Sequence, residues 1–161
     1  MNDELIKQLL RYDPETGNLY WLQDRRRHKA GSVAGRPHKS SGYIRVEVCG
    51  KAMAAHRVAW LLHYGQWPSD QIDHINRDKT DNRIRNLREA TNGQNRANTQ
   101  SSSKHGLKGV SFKPWLKDKP WEARITSNKR VTSLGCYATK EEAHQAYCEA
   151  AKRLHGDFFS A

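Results

Sequence analysis

Between Ile72 and Asn95 the chain gathers side chains that can move a proton and hold a cation. Asp73 and His74 stand together, Asn82 and Asn86 follow, and Thr91 and Asn95 close the stretch. Hydrolysis of a phosphodiester at neutral pH needs a base to take a proton from water, and positive charge to meet the charge that grows on phosphate and leaving oxygen. An imidazole, with an ordinary pKa of about 6.5, suits the first task. Asp and Asn oxygens are the ligands a hard divalent cation prefers, which suits the second. An Asp-His dipeptide alone is commonplace and an Asn- and Asp-rich segment is ordinarily just a loop, so the weight lies on the whole set. A calcium loop beginning at Asp78 would place Thr80, Asn82 and Glu89 at ligand offsets, but Arg83 stands where such a loop needs glycine.

To converge, these residues need a small scaffold. Ile72-Asp73-His74 reads as a brief strand, residues 75–83 as a polar loop and Ile84 to Ala90 as a second strand, with Thr91 capping a helix that runs to about Asn98. Upstream, Leu5, Ile6, Leu9 and Leu10 recur at helical spacing behind a cap at Asn2 and Asp3, and Asp13 to Gly17 is a turn that releases a strand at Asn18 to Trp21. Asp24 to Lys39, with Arg25, Arg26, Arg27, His28 and Lys29 among Gly31, Gly35 and Pro37, reads as a flexible basic loop that is either solvated surface or a phosphate contact. Tyr43 to Val48 and Ala52 to Ala55 form a hairpin about Cys49-Gly50-Lys51, and His56 to Tyr64 a helix stopped by Gly65 and Pro68.

Asp73-His74 followed by Asn82-Arg83 and Asn86-Leu87-Arg88 resembles the HNH family of the ββα-metal, or His-Me finger, nucleases. It is particularly similar to phage and intron-encoded homing endonucleases, whose domain often opens with a His-Arg helix like that at His56-Arg57. The resemblance implies His74 as general base, Asp73 and Asn95 as ligands of one divalent cation (Mg²⁺ or Mn²⁺), and Asn86 as the residue that holds the finger loop and orients the histidine. The family's third residue is often His, where this chain offers Asn95. His56 is expected to be structural. His28, His38, His63, His105, His144 and His155 lack metal-ligand spacing.

After Gln100-Ser101-Ser102-Ser103, which reads as a linker, strands are expected at Gly109 to Lys113, Trp121 to Thr126 and Val131 to Tyr137. A helix should follow behind the capping box Thr139-Lys140-Glu141-Glu142, with Ala143, Ala146, Tyr147, Ala150, Ala151 and Leu154 as its apolar stripe. Alternation turns Val110, Ala123, Ile125 and Leu134 toward that helix and Ser111, Lys113, Glu122, Arg124 and Thr126 away. Residues Lys108 to Phe158 resemble the apetala/ethylene-response-factor type of DNA-binding domain. That likeness implies a sheet laid in the major groove, with Lys113, Arg124 and Arg130 as contacts and Ser111 and Thr126 as weaker ones. Trp115 and Trp121 are expected to pack at the sheet edge.

The expected fold is thus α+β: N-terminal β-hairpins plus a ββα-metal finger, then a small three-stranded antiparallel sheet packed on one helix. The expected domains are an endonuclease domain at 1–100 with its finger core at 71–99, a linker at 101–107 and a DNA-binding domain at 108–161. Lys and Arg number 28 against 17 Asp and Glu, a net charge of +11, and both sides of Ser103 are positive. Such a balance fits a double-stranded DNA partner. Three widely spaced cysteines without a Cys-x-x-Cys pair speak against a structural zinc or a disulfide framework. No signal-like or membrane-length apolar run is visible, so the expected location is the cytoplasm of a host cell, at its nucleoid. The expected activity is metal-dependent DNA cleavage, in a phage or mobile-element homing endonuclease. The alternative is a non-catalytic DNA-binding regulator that keeps the finger as scaffold. An RNA-binding module lacks the aromatic pattern of RNA recognition.

Overall fold

The computed structural model describes residues 3–101, 106–127 and 130–159. Among the described residues the architecture is α+β, with four helices and several small antiparallel sheets, and the chain divides into two compact units, Met1–Ala90 and Thr91–Ala161. Asn2 of the expected first cap and most of the expected linker at 101–107 lie outside the described residues.

In the first unit, helix α1 (Asp3–Leu9) buries Ile6 and Leu9. Leu10, expected at the end of this helix, instead opens strand β1 (Leu10–Tyr12), because it pairs with Trp21 of β2 (Leu19–Trp21). The turn between them is tied by Asp13, whose side-chain Oδ1 accepts the Glu15 N–H and whose carbonyl accepts the Gly17 N–H. The basic stretch from Asp24 to Lys39 is more ordered than a loop. It holds strand β3 (Val33–Ala34) on β2 and strand β4 (Arg36–Pro37) on β5 (Ile44–Val48). These strands have two residues each, too short for any alternation to show.

β5 turns into β6 (Lys51–Ala54) through Cys49 and Gly50, both at positive φ, the conformation that matches hairpin twist. Helix α2 (Ala55–Tyr64) ends on Gly65 in the left-handed region, its N–H returned to the Leu61 carbonyl. Ile6, Leu10, Leu19, Trp21, Val46, Val48, Val58 and Leu61 form the core beneath these elements.

Strand β7 (Gln71–His74) pairs antiparallel with β8 (Leu87–Ala90), setting Asp73 opposite Arg88 and His74 opposite Leu87. The strand expected from Ile84 begins only at Leu87. Ile84–Asn86 form a 3₁₀ turn, because the Asn86 backbone N–H bonds to the Arg83 carbonyl while its side chain reaches back into the loop.

In the second unit, helix α3 (Asn92–Asn98) starts on a full capping box between Thr91 and Gln94. Lys108 Nζ donates to the carbonyls of Ala97 and Thr99 at its far end. Strands β9 (Val110–Phe112), β10 (Trp121–Ser127) and β11 (Arg130–Tyr137) form an antiparallel sheet with β10 central. Helix α4 (Lys140–His155), capped by Thr139 and Glu142, packs Ala143, Tyr147 and Ala151 against the sheet residues Val110, Ala123 and Ile125. Gly109 permits this closeness: a Cβ there would sit 2.0 Å from the Tyr147 ring, and its φ is +75°. The buried stripe stops at Ala151. Leu154, expected on it, is exposed, and Phe159 stands against Tyr147 instead, at 6.0 Å between ring centroids.

Candidate active site in the finger

Polar residues seldom enter a core unless they are bonded there or have work to do. Among the described residues the buried polar or charged side chains are His56, Asp73, His74, Asn82, Asn86 and Asn98, and all but Asn98 belong to the first unit, in or beside β7, β8 and their connecting loop.

Asn86 latches the loop at three points. Its Oδ1 accepts the Asn76 N–H at 3.0 Å, its Nδ2 donates to the Asp81 carbonyl at 2.8 Å, and its own carbonyl accepts the Ile75 N–H at 2.9 Å. The loop turns sharply between these anchors, with Arg77 at φ +66° and its N–H on the His74 carbonyl. Arg83 braces the far side through Asp81 Oδ1, at 2.7 Å from Nε, and this ion pair pulls the Asp81 carboxyl down to about 2.

The family resemblance implied that Asn86 holds both the loop and the histidine. In the structure the Asn82 side-chain amide lies on the imidazole, its Oδ1 3.0 Å from His74 Nε2. A carbonyl oxygen can only accept, so this contact puts the proton on Nε2 and makes Nδ1 the basic nitrogen. Asn82 is 2% exposed, and the N-terminal hairpin holds it. Tyr12 donates its hydroxyl to the Asn82 carbonyl at 2.8 Å, and Gly17 lies so close that a Cβ there would be 2.7 Å from the Asn82 carbonyl carbon and 2.5 Å from the Arg83 nitrogen. Only glycine fits that contact and the φ of +76°. The signal was present in the sequence as Asn82-Arg83, but sequence spacing cannot show which of two loop asparagines faces a ring.

Two further rings pack on His74: His56, expected as a structural residue, and Tyr43, which was not singled out. His56, buried at the start of α2, meets the His74 ring edge to face at 5.1 Å, and Tyr43 packs on both, at 5.1 Å from His56 and 5.7 Å from His74. Burial above all, with His74 and Arg57 adding to it, lowers the His56 pKa to about 3, so this ring is neutral at pH 7. Burial also lowers the His74 pKa, opposed by the Asn82 contact and by Asp73, Asp78 and Asp81. The uncharged imidazole is the form a general base needs.

Asp73 is 3% exposed and ion-paired across the strands: Arg88 Nε and Nη2 stand 2.9 and 2.8 Å from its Oδ2. A carboxylate is the donor a hard metal ion prefers, and here Arg88 already occupies Oδ2. Among the described residues no group of three or more His, Cys, Asp and Glu side chains gathers to hold a metal, so the expected set rests on one carboxylate and amide oxygen. Asn95 lies on α3, in the second unit.

The five residues expected to meet DNA are spread over the C-terminal sheet. Lys113 is ion-paired with Glu122 at 3.4 Å, and Ser111 donates to the same carboxylate. Arg124, Thr126 and Arg130 are exposed. Trp121 packs on Phe112 at 4.8 Å, whereas Trp115, expected to pack, is 69% exposed with Lys113 Nζ over its ring.

Residues 53–97 match the family model described as HNH endonuclease. That match covers α2, both finger strands, the loop and most of α3. An uncharacterized HNH endonuclease of Acanthamoeba polyphaga mimivirus is 35% identical over 121 residues, which are 73% of this chain and 61% of that relative. This chain therefore spans less than two thirds of the relative's length. No solved structure gives a significant match.

Proposed function

We propose, from the likeness of residues 53–97 to HNH endonucleases, that this chain hydrolyses phosphodiester bonds in double-stranded DNA and depends on a divalent cation, Mg²⁺ or Mn²⁺. The observation that carries the proposal is the neutral, buried His74, fixed at Nε2 by Asn82 and next to the ion-paired Asp73. His74 takes a proton from water through Nδ1, the water oxygen bonds to phosphorus, and the bond from phosphorus to the leaving sugar oxygen breaks. Asn82 and Asn86 hold base and loop still, so no rearrangement of the loop precedes the step. Asp73 is a proposed ligand of that cation, which when bound would supply positive charge to the phosphate and the leaving oxygen.

The C-terminal sheet and the basic N-terminal segments are proposed as the DNA anchor, in the manner of a homing endonuclease from a phage or other mobile element acting on DNA inside a host cell. Supercoiled plasmid incubated with the protein tests the cleavage proposal. Nicked or linear product is expected with Mg²⁺ or Mn²⁺ and none with EDTA. Intact plasmid under every metal, with DNA binding retained, would sink it.

A further inference from the structure

Within the first unit, the turn after β2, the short strand β4 and the hairpin β5–β6 enclose a groove. Arg25, Arg26, Arg27, Arg36, Lys39 and Arg45 line it, against a single carboxylate, Glu47. Among the described residues none of these six cations has a salt-bridge partner. The finger treats its charges differently, with Arg83 on Asp81 and Arg88 on Asp73. Six like charges in a concave wall repel one another and concentrate a positive field, so the arrangement is stabilised when an anion enters.

A second, independent observation concerns two residues that line this groove, Trp21 and Arg25. Trp21 is 3% exposed and its indole Nε1 has no hydrogen-bond partner, and Arg25 buries Nη1 without a partner. The two are neighbours: the Arg25 guanidinium lies 5.2 Å over the Trp21 ring, whose other close partner is the stacked His28 at 5.2 Å. Buried donors without acceptors are rare in folded proteins and mark a place where an acceptor belongs. An arginine that leaves a donor unsatisfied in this wall adds to the positive field there.

We infer that this groove is a backbone-binding site for duplex DNA, in which Arg26, Arg27 and Arg36 take phosphates along the wall, with the Trp21 ring beneath Arg25 as the reporter of occupancy. The inference rests on the proposed DNA substrate and names the surface in the first unit that grips it away from the finger. Such contacts hold register and orientation without reading sequence.

The test is binding of the full chain to a fluorescent duplex in EDTA, where no cleavage is expected, across a salt series. Removing one phosphate-binding cation lowers the slope of log K against log salt by about 0.9. The triple variant Arg26→Ala, Arg27→Ala, Arg36→Ala, all at exposed positions, should flatten that slope by roughly 2 to 3. A matched variant on α4, with Lys140, Lys152 and Arg153 replaced by Ala, removes the same charge and should leave the slope near wild type. Saturation with duplex should also move the Trp21 indole N–H resonance.

Equal slopes for wild type and the groove variant, or a still Trp21 resonance at saturation, would overturn the inference. So would a slope change seen with single-stranded RNA and absent with the duplex. Cleavage is not read, so a chain that binds through the groove and never cuts would sink the nuclease proposal and leave this one standing.

Discussion

The finger and the C-terminal sheet are both small antiparallel structures rich in polar side chains, yet they treat those side chains in opposite ways. In the finger, Asp73, His74, Asn82 and Asn86 are buried, each bonded in place. On the sheet, Arg124, Thr126 and Arg130 stand in solvent, and Glu122 draws Lys113, Ser111 and Ser133 to itself. A buried polar network has one low-energy arrangement, whereas an exposed polar face has many. The first suits chemistry, which needs fixed geometry; the second suits a surface that adapts to a partner. Changes in the finger should therefore act on rate, and changes on the sheet on affinity.

Among the residues packed around His74, Asn82 carries the largest expected effect on rate and tests the finger side of this comparison. Asn82→Ala removes the acceptor at His74 Nε2 and should lower kcat by 10- to 100-fold, the usual cost of losing a residue that orients a functional histidine, with DNA affinity unchanged. The ¹⁵N shifts of His74 should at the same time lose the signature of a single Nε2–H tautomer. A variant that keeps both kcat and tautomer would show that Asn82 only fills space.

Acid should expose the same burial. His56 has a folded pKa of about 3 against the ordinary 6.5. Between those values the unfolded chain binds a proton that the folded chain refuses, so stability is full above about pH 6.5 and falls as the pH drops through the window. The slope is about 1.4 kcal/mol per pH unit for one proton. Thermal unfolding followed from pH 7 to pH 4 should show that loss in wild type and a shallower one in His56→Phe. Parallel curves would mean that His56 does not govern acid sensitivity.

Effects on the sheet should be smaller and of another kind. Arg124→Ala should weaken duplex binding and lower its salt slope by about 1 while sparing kcat. A fall in kcat with unchanged binding would erase the contrast between the two regions. Smallest of all, Trp115→Ala should leave unfolding free energy within about 0.5 kcal/mol of wild type, as for most exposed positions, measured by urea titration. A larger loss would mean that this exposed ring is held after all.

What could be read from the sequence follows the same divide. Long periodic or capped segments were legible: the cap at Thr91, the capping box at Thr139 and the alternation of Ala123 and Ile125 each signal an element locally. The two-residue strands at Val33 and Arg36 were not, since they exist only through pairing with β2 and β5. In the finger, the strand that carries Asp73 and His74 was legible from residue type and order. The exchange of Asn82 for Asn86 at the imidazole was not, because it depends on Tyr12 and Gly17, some seventy residues upstream, pressing on the loop. His56 and Tyr43 reach His74 by tertiary packing alone.

The most direct test of the central claim is single-turnover cleavage of duplex DNA by His74→Ala, with binding measured in parallel. Loss of the general base should slow cleavage by about 10²- to 10⁴-fold at unchanged affinity. A variant that binds and cuts at the wild-type rate would contradict the account, because no other feature of the finger would then explain why a neutral imidazole is buried and bonded there.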